Sequence, residues 1–165
     1  MEAMTETYQS LLSEEQPGVL HFGGARMVML DVGAGFWGLR RQMEALVGPR
    51  LADSVLQQAG ANGGASVARA FAGSASDAQA LRDCIAAYQA AGFGQFEVEA
   101  LGWPFDDAQD KPIGHALVRA HETFEAWTMQ QHGQTSESPV CAYTAGVLVG
   151  FVNALAGRHD VVCIE

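Results

Sequence analysis

The sequence predicts an α/β (α+β) domain in which an antiparallel sheet is flanked by helices, with the helices in the larger share. Three observations lead there. Apolar runs on either side of Gly23–Gly24 read as a hairpin, because Gly-Gly supplies the positive φ of a tight turn. Phe96, Val98 and Ala100 alternate with Gln95, Glu97 and Glu99, the period of a strand with one wet face. Much of the remaining chain has helical periodicity, punctuated by glycines and capping residues.

Taken in order, residues 1–17 read as a short amphipathic helix or an arm ending at Pro17, and residues 18–165 as one domain. The hairpin segment runs from Gly18 to Val32. A helix is predicted from Phe36 to Val47, with Phe36, Leu39, Met43, Leu46 and Val47 on one apolar stripe. Gly48–Pro49 breaks it, and Pro49 suits the first turn of a helix over Arg50–Ala59. Gly63–Gly64 is expected to interrupt the chain before a helix restarts. Ser76–Asp77 caps the next helix, which runs through Leu81, Cys84, Ile85 and Tyr88 to Gly92. The strand over 94–101 is expected to pair antiparallel with one over 115–120, across a loop of turn residues and acids. A helix from Glu122 to Gln131, a polar connection, a helix opened by Ser138–Pro139 and a final strand DVVCIE complete the prediction.

Composition narrows the function. Hydrophobic residues at 48% and charged residues at 17% describe a chain with a substantial core. A net charge of −10 opposes nucleic-acid binding by this chain, since nine basic residues are scattered rather than clustered. Cys84, Cys141 and Cys163 lack the spacing of a disulfide scaffold and read as reduced thiols, hence a cytoplasmic setting. The start of the chain is polar and acidic, unlike a signal peptide, and no apolar run matches a membrane span.

Catalytic motifs are weak. There is no phosphate loop of the GxxxxGK[ST] form, and Lys111 is the single lysine. Gly33, Gly35 and Gly38 give a loose G-x-G-x-x-G, but a dinucleotide site needs a parallel crossover, and the flanking strands read as a hairpin. No nucleotide cofactor is expected. The histidines, His21, His115, His121, His132 and His159, are dispersed; only His115 and His121 flank a common strand. Trp37, Trp103 and Trp127 read as core or interface anchors.

The helix SPVCAYTAGVLVGFVNALAGR raises a sharper question. Gly146 and Gly150 share one face, and each costs about 1 kcal/mol against alanine in a helix interior. That cost is tolerated where another backbone or a ligand comes close. Cys141 is expected in the first turn, where free amides and the helix dipole favour a thiolate, a competent metal ligand.

The pattern Cys-x4-Gly-x3-Gly-x6-Gly-Arg, at Cys141, Gly146, Gly150, Gly157 and Arg158, resembles the core of the 4-vinyl-reductase-like small-molecule-binding domain. Upstream, GVLHFGGARMVMLDVGAGFWGLRRQMEALVG and LADSVLQQAGANGGASVARAF are similar to the N-terminal sensor region of XylR-type, aromatic-responsive activators of sigma-54 transcription. ETFEAW and SPVC fit the segment leading to that family's zinc-binding half. The resemblance implies a Bet3-like sensor fold, a homodimer, an apolar pocket for a small apolar or aromatic molecule, and an output domain in a longer parent. It also implies a structural zinc, for which Cys141 matches the first ligand and Glu165 the second. The two further cysteines of the family pattern are absent, so the site is incomplete: either the chain is truncated at its zinc-binding edge or it has dispensed with the metal.

Phenol specificity does not carry over. The family's tryptophan position falls on Ala120, and GQFEVE has no histidine. The expected pocket is wider and more apolar, lined by Phe96, Val98, Val118, Phe124, Tyr143, Val147 and Phe151, with Tyr143, His115 or Glu97 as polar anchors. The reading that follows is a non-catalytic sensing domain. The alternatives are a component of tetrapyrrole vinyl-group reduction and a Bet3-like scaffold that holds an acyl chain.

Overall fold

The computed structural model describes residues 12–22, 25–74, 76–102 and 114–165. The Gly23–Gly24 turn and the loop over 103–113, with Trp103 and Lys111, lie outside the described residues. So do residues 1–11 and Ala75.

Where an arm or helix is expected up to Pro17, Leu12–Gln16 forms a strand, β1. It pairs antiparallel with β2, Val19–Phe22, around Pro17–Gly18, where Gly18 has φ +80° and donates its N–H to Glu14 Oε1 at 2.9 Å. The predicted hairpin follows: β2 pairs antiparallel with β3, Ala25–Met27, placing Phe22 opposite Ala25. The pairing of β3 ends with Leu20 opposite Met27. Val28, Met29 and Leu30 are consequently exposed.

Asp31 turns the chain into the helices. Its carboxylate accepts from Gly33 N and Ala34 N at 2.9 and 3.2 Å, capping a wide turn, Val32–Phe36, that runs directly into α1, Trp37–Val47. Of the predicted stripe, Phe36 and Met43 face inward, and Leu39, Leu46 and Val47 do not. Leu46 is 81% exposed and Leu39 and Val47 are also exposed, whereas Arg40 is buried. The helix is rotated so that Phe36, Arg40, Met43 and Glu44 face inward, because Arg40 finds carboxylates and a carbonyl there that no periodicity count can see. Gly48, at φ +81°, ends α1, and Pro49 opens α2 as predicted.

α2 does not break at Gly63–Gly64. It is one helix of 20 residues, Pro49–Ala68, and its glycines are the contact surface for α5, Ala142–Ala156. A methyl group at Gly60 or Gly64 would overlap the backbone of Tyr143 or Val147; one at Gly146 or Gly150 would overlap that of Gln57 or Ala61. The two helices therefore interlock backbone to backbone, each offering glycines to the other's carbonyls. The glycine cost within the helices is offset by this close approach.

α3, Asp77–Tyr88, is capped by Ser76 Oγ, which accepts from Gln79 N at 3.2 Å. It buries Leu81, Cys84, Ile85 and Tyr88 against α5, around the fully buried Phe151. β4, Gln95–Gly102, and β5, His115–His121, pair antiparallel with Val98 opposite Val118, as predicted. The sheet is thus two small sheets, β1-β2-β3 and β4-β5. α4, Phe124–Gln131, is capped by Thr123. Gly157, at φ +65°, ends α5 as expected.

Two C-terminal expectations fail. Ser138 and Pro139 lie outside α5, and Cys141 is its N-cap residue. Residues 160–165 form no strand. The Glu165 carboxylate accepts from Val140 N and Cys141 N, so the terminal segment is held by a side chain rather than by sheet pairing. Among the described residues, no helix is long and apolar enough to cross a membrane.

Candidate functional site

Between the β2–β3 hairpin and the α2–α5 pair lies a cavity of about 220 Å³. The hairpin contributes Phe22, Ala25, Met27 and the exposed Arg26. α2 contributes Gly63, Gly64, Ser66 and Val67. The far wall is Tyr88 at the end of α3, Ala91 and Phe93 from the turn beyond it, and Tyr143 and Val147 from α5.

Local sequence explains this wall. α3 gives way to a wide turn, Gln89–Phe93, in which Gly92 takes φ +89°, a conformation favourable to glycine. The turn folds Phe93 back onto Tyr88, ring stacked on ring at 4.0 Å and 13°. On its other side Phe93 lies near-parallel to Tyr143, at 6.3 Å and 11°. Phe124 meets both Phe93 and Tyr143 edge-on. Gly63 leaves room for the Tyr143 hydroxyl, since a Cβ there would sit 3.3 Å from it.

Among the described residues, the lining contains no carboxylate, histidine or cysteine; its side-chain polarity is that of Ser66, Tyr88, Tyr143 and the exposed Arg26. Burial pushes the hydroxyl pKa of both tyrosines above the ordinary phenol value. They face the cavity as neutral phenols. Such a surface offers ring contacts and neutral hydrogen bonds and carries no base or nucleophile of useful pKa. A cavity of about 150 Å³ already admits benzene, so this one has room for a single substituted ring.

Behind the wall lies a charged network. Arg40 donates to Glu44 Oε1 at 3.0 Å, Asp53 Oδ1 at 2.8 Å and the Val140 carbonyl at 3.2 Å. It also approaches Glu125 Oε1 at 3.7 Å. Glu125 is 1% exposed and accepts from Tyr143 N and Thr144 N at 3.0 and 2.9 Å. Burial raises its carboxyl pKa, opposed by those amides and by Arg40.

The thiolate expected at Cys141 is not supported. Burial pushes the thiol up to about 12, with the Glu165 and Glu125 charges adding to it and only a 3.1 Å contact with Thr123 Oγ1 opposing. The amide that was to favour a thiolate is occupied by Glu165. Cys141 and Glu165 meet through the Cys141 backbone N–H, which donates to the Glu165 carboxylate. Yet among the described residues no group of three or more His, Cys, Asp and Glu is placed to hold a metal. A closed tetrahedral zinc site needs four ligands, so the described residues do not fit one by themselves.

Of the ligand-facing residues expected from sequence, Tyr143 and Val147 line the cavity. Phe96 and Phe151 stand behind Tyr88, at 5.3 and 6.1 Å between ring centroids, and Phe124 backs Phe93. Val98 and Val118 pack on the edge of the core that surrounds Phe151. His115 is exposed at the far end of β5, its ring against Gly102, and Glu97 is exposed on β4. Sequence reasoning missed Phe22, Met27, Val67, Tyr88 and Phe93. A signal existed for Tyr88 and Phe93: two aromatics bracketing a positive-φ glycine at a helix end.

No family model matches the chain, and no curated protein matches it. Among solved structures, the crystal structure of the phenol-responsive sensory domain of the transcription activator PoxR with phenol superposes with a TM-score of 0.79. The match covers 95% of this chain and 78% of that one, at 20% identity. The chain has the fold of that sensory domain. This α+β fold is the one that the resemblance in sequence implied, although one residue in five is shared.

Proposed function

We propose that the chain is a small-molecule sensing domain of a transcriptional or signalling regulator, with an apolar or aromatic effector and no catalysis of its own. The observation that carries this is the aromatic-walled cavity of about 220 Å³ in the fold of a sensory domain that responds to phenol. Neutral, ring-rich walls suit a one-ring effector, and the lining supplies no group for covalent or general-base chemistry. A tetrapyrrole is far larger than this space, which disfavours the vinyl-reduction alternative.

In a longer cytoplasmic parent, occupancy would shift the domain between two arrangements read by an output domain. We further propose that the domain works as a homodimer through the α1–α2 face, where Leu39, Leu46, Val47, Leu51 and Val55 are exposed. A zinc at the Cys141–Glu165 corner would require further ligands from outside the described residues, and metal analysis of purified protein decides whether one is present. A thermal-shift and mass-spectrometry screen against single-ring aromatics and short acyl compounds tests the main reading. One or more stabilising ring compounds, or a co-purifying one, are expected; no binder at all would overturn it.

A further inference from the structure

We propose that Glu125 is the positioning residue of the cavity: one buried carboxylate on α4 holds both tyrosines that face the ligand space. The proposal rests on the cavity being the effector site. Its first arm is direct, since Glu125 Oε1 accepts the backbone N–H of Tyr143 at 3.0 Å. Its second runs through Thr144, whose N–H is held by Oε2 at 2.9 Å and whose hydroxyl lies 3.3 Å from that of Tyr88. Tyr88 and Tyr143 are the outer rings of the near-parallel series Tyr88–Phe93–Tyr143, so one side chain sets both ends of the wall.

The burial of this charge argues for such a role. The first amides of a helix need an acceptor, and a serine or asparagine cap would serve without an ion. Here the N-cap residue is Cys141, which makes no side-chain capping bond, and the acceptor comes from another element. A buried carboxylate is costly unless paired and hydrogen-bonded, and it then fixes geometry more strictly than apolar packing. Arg40 supplies the counter-charge, itself held by Glu44, Asp53 and the Val140 carbonyl. The wall is thereby referenced to α1 through Arg40 and Glu44, and to the first turns of α2 through Asp53.

The experiment uses fluorine NMR of protein labelled with 3-fluorotyrosine; Tyr→Phe variants assign the resonances of the three tyrosines. Without ligand, Glu125→Gln should shift both the Tyr88 and Tyr143 resonances, and Thr144→Val should shift that of Tyr88. With toluene as the probe, Glu125→Gln should weaken binding about tenfold, the scale of one lost charge-assisted hydrogen bond. Thr144→Val and Tyr88→Phe should each weaken it by about threefold, the double variant losing no more than either alone. Unmoved tyrosine resonances with unchanged affinity in Glu125→Gln would overturn the proposal. If that variant does not fold, an unmoved Tyr88 resonance and unchanged toluene affinity in Thr144→Val overturn it instead. A wild-type chain that binds neither toluene nor any compound of the screen retires the sensing reading, whereas the ligand-free resonances judge the positioning by themselves.

Discussion

Arg40 and Glu125 are both buried charged residues, and they meet each other behind the cavity wall. Because burial raises the Glu125 pKa, the native chain keeps this proton to higher pH than the unfolded chain. Between the ordinary carboxylate range and that raised value the native state binds more protons, so stability falls as pH rises. Denaturant titrations across that window should show the fall in the wild-type chain and a flatter profile in Glu125→Gln. Arg40→Ala leaves Glu125 without its counter-charge and should cost about 3–5 kcal/mol of unfolding free energy, measurable in the same titrations. Cys141 makes an opposite kind of prediction. With its thiol pushed up to about 12, it should react with iodoacetamide at mildly alkaline pH far more slowly in the folded chain than in denaturant. Little of this was legible beforehand. Glu125 sits in ETFEAW as one acid among many, and its partners at Tyr143 and Thr144 belong to a different helix.

At the scale of elements, the α2–α5 contact organises the domain. Its glycines were recognised as markers of close approach on α5, where the i, i+4 spacing of Gly146 and Gly150 is visible in the sequence. The matching glycines on α2 were read as a break, because a Gly-Gly pair in isolation resembles a turn. Only the partner helix distinguishes the two cases. Gly60→Ala and Gly146→Ala should each destabilise by roughly 2–4 kcal/mol, the upper end of ordinary overpacking or above it, since each methyl meets backbone rather than a movable side chain. A variant with unchanged stability in chemical denaturation would contradict the interlock. The α1 stripe failed for a related reason: periodicity locates a face, and a buried ion network can rotate the helix away from it. β4 and β5 were read correctly because their alternation is local and one face is solvated.

The described residues form a pair of small sheets and five α-helices, arranged so that a hairpin covers one side of the α2–α5 pair and leaves an aromatic-walled space beneath it. Fold class and the β2–β3 and β4–β5 pairings were accessible from pattern alone; the β1–β2 pairing, in a segment that reads as an arm or helix, was not. The lining was not, because it gathers residues from the hairpin, three helices and a wide turn, and only Tyr143 and Val147 belonged to the stretch that sequence had singled out. The exposed α1–α2 face carries its own prediction: Leu46→Glu should convert a dimer to monomer in light scattering without loss of helical signal.

The central claim is that this space binds a small apolar ring. Calorimetric titration of toluene into the wild-type chain and into Val67→Phe, which fills the cavity from α2, tests it most directly. Saturable one-site binding to the wild-type chain and none to the filled variant are expected, with both folded. Equal binding to the two, or no binding to the wild-type chain, would contradict it.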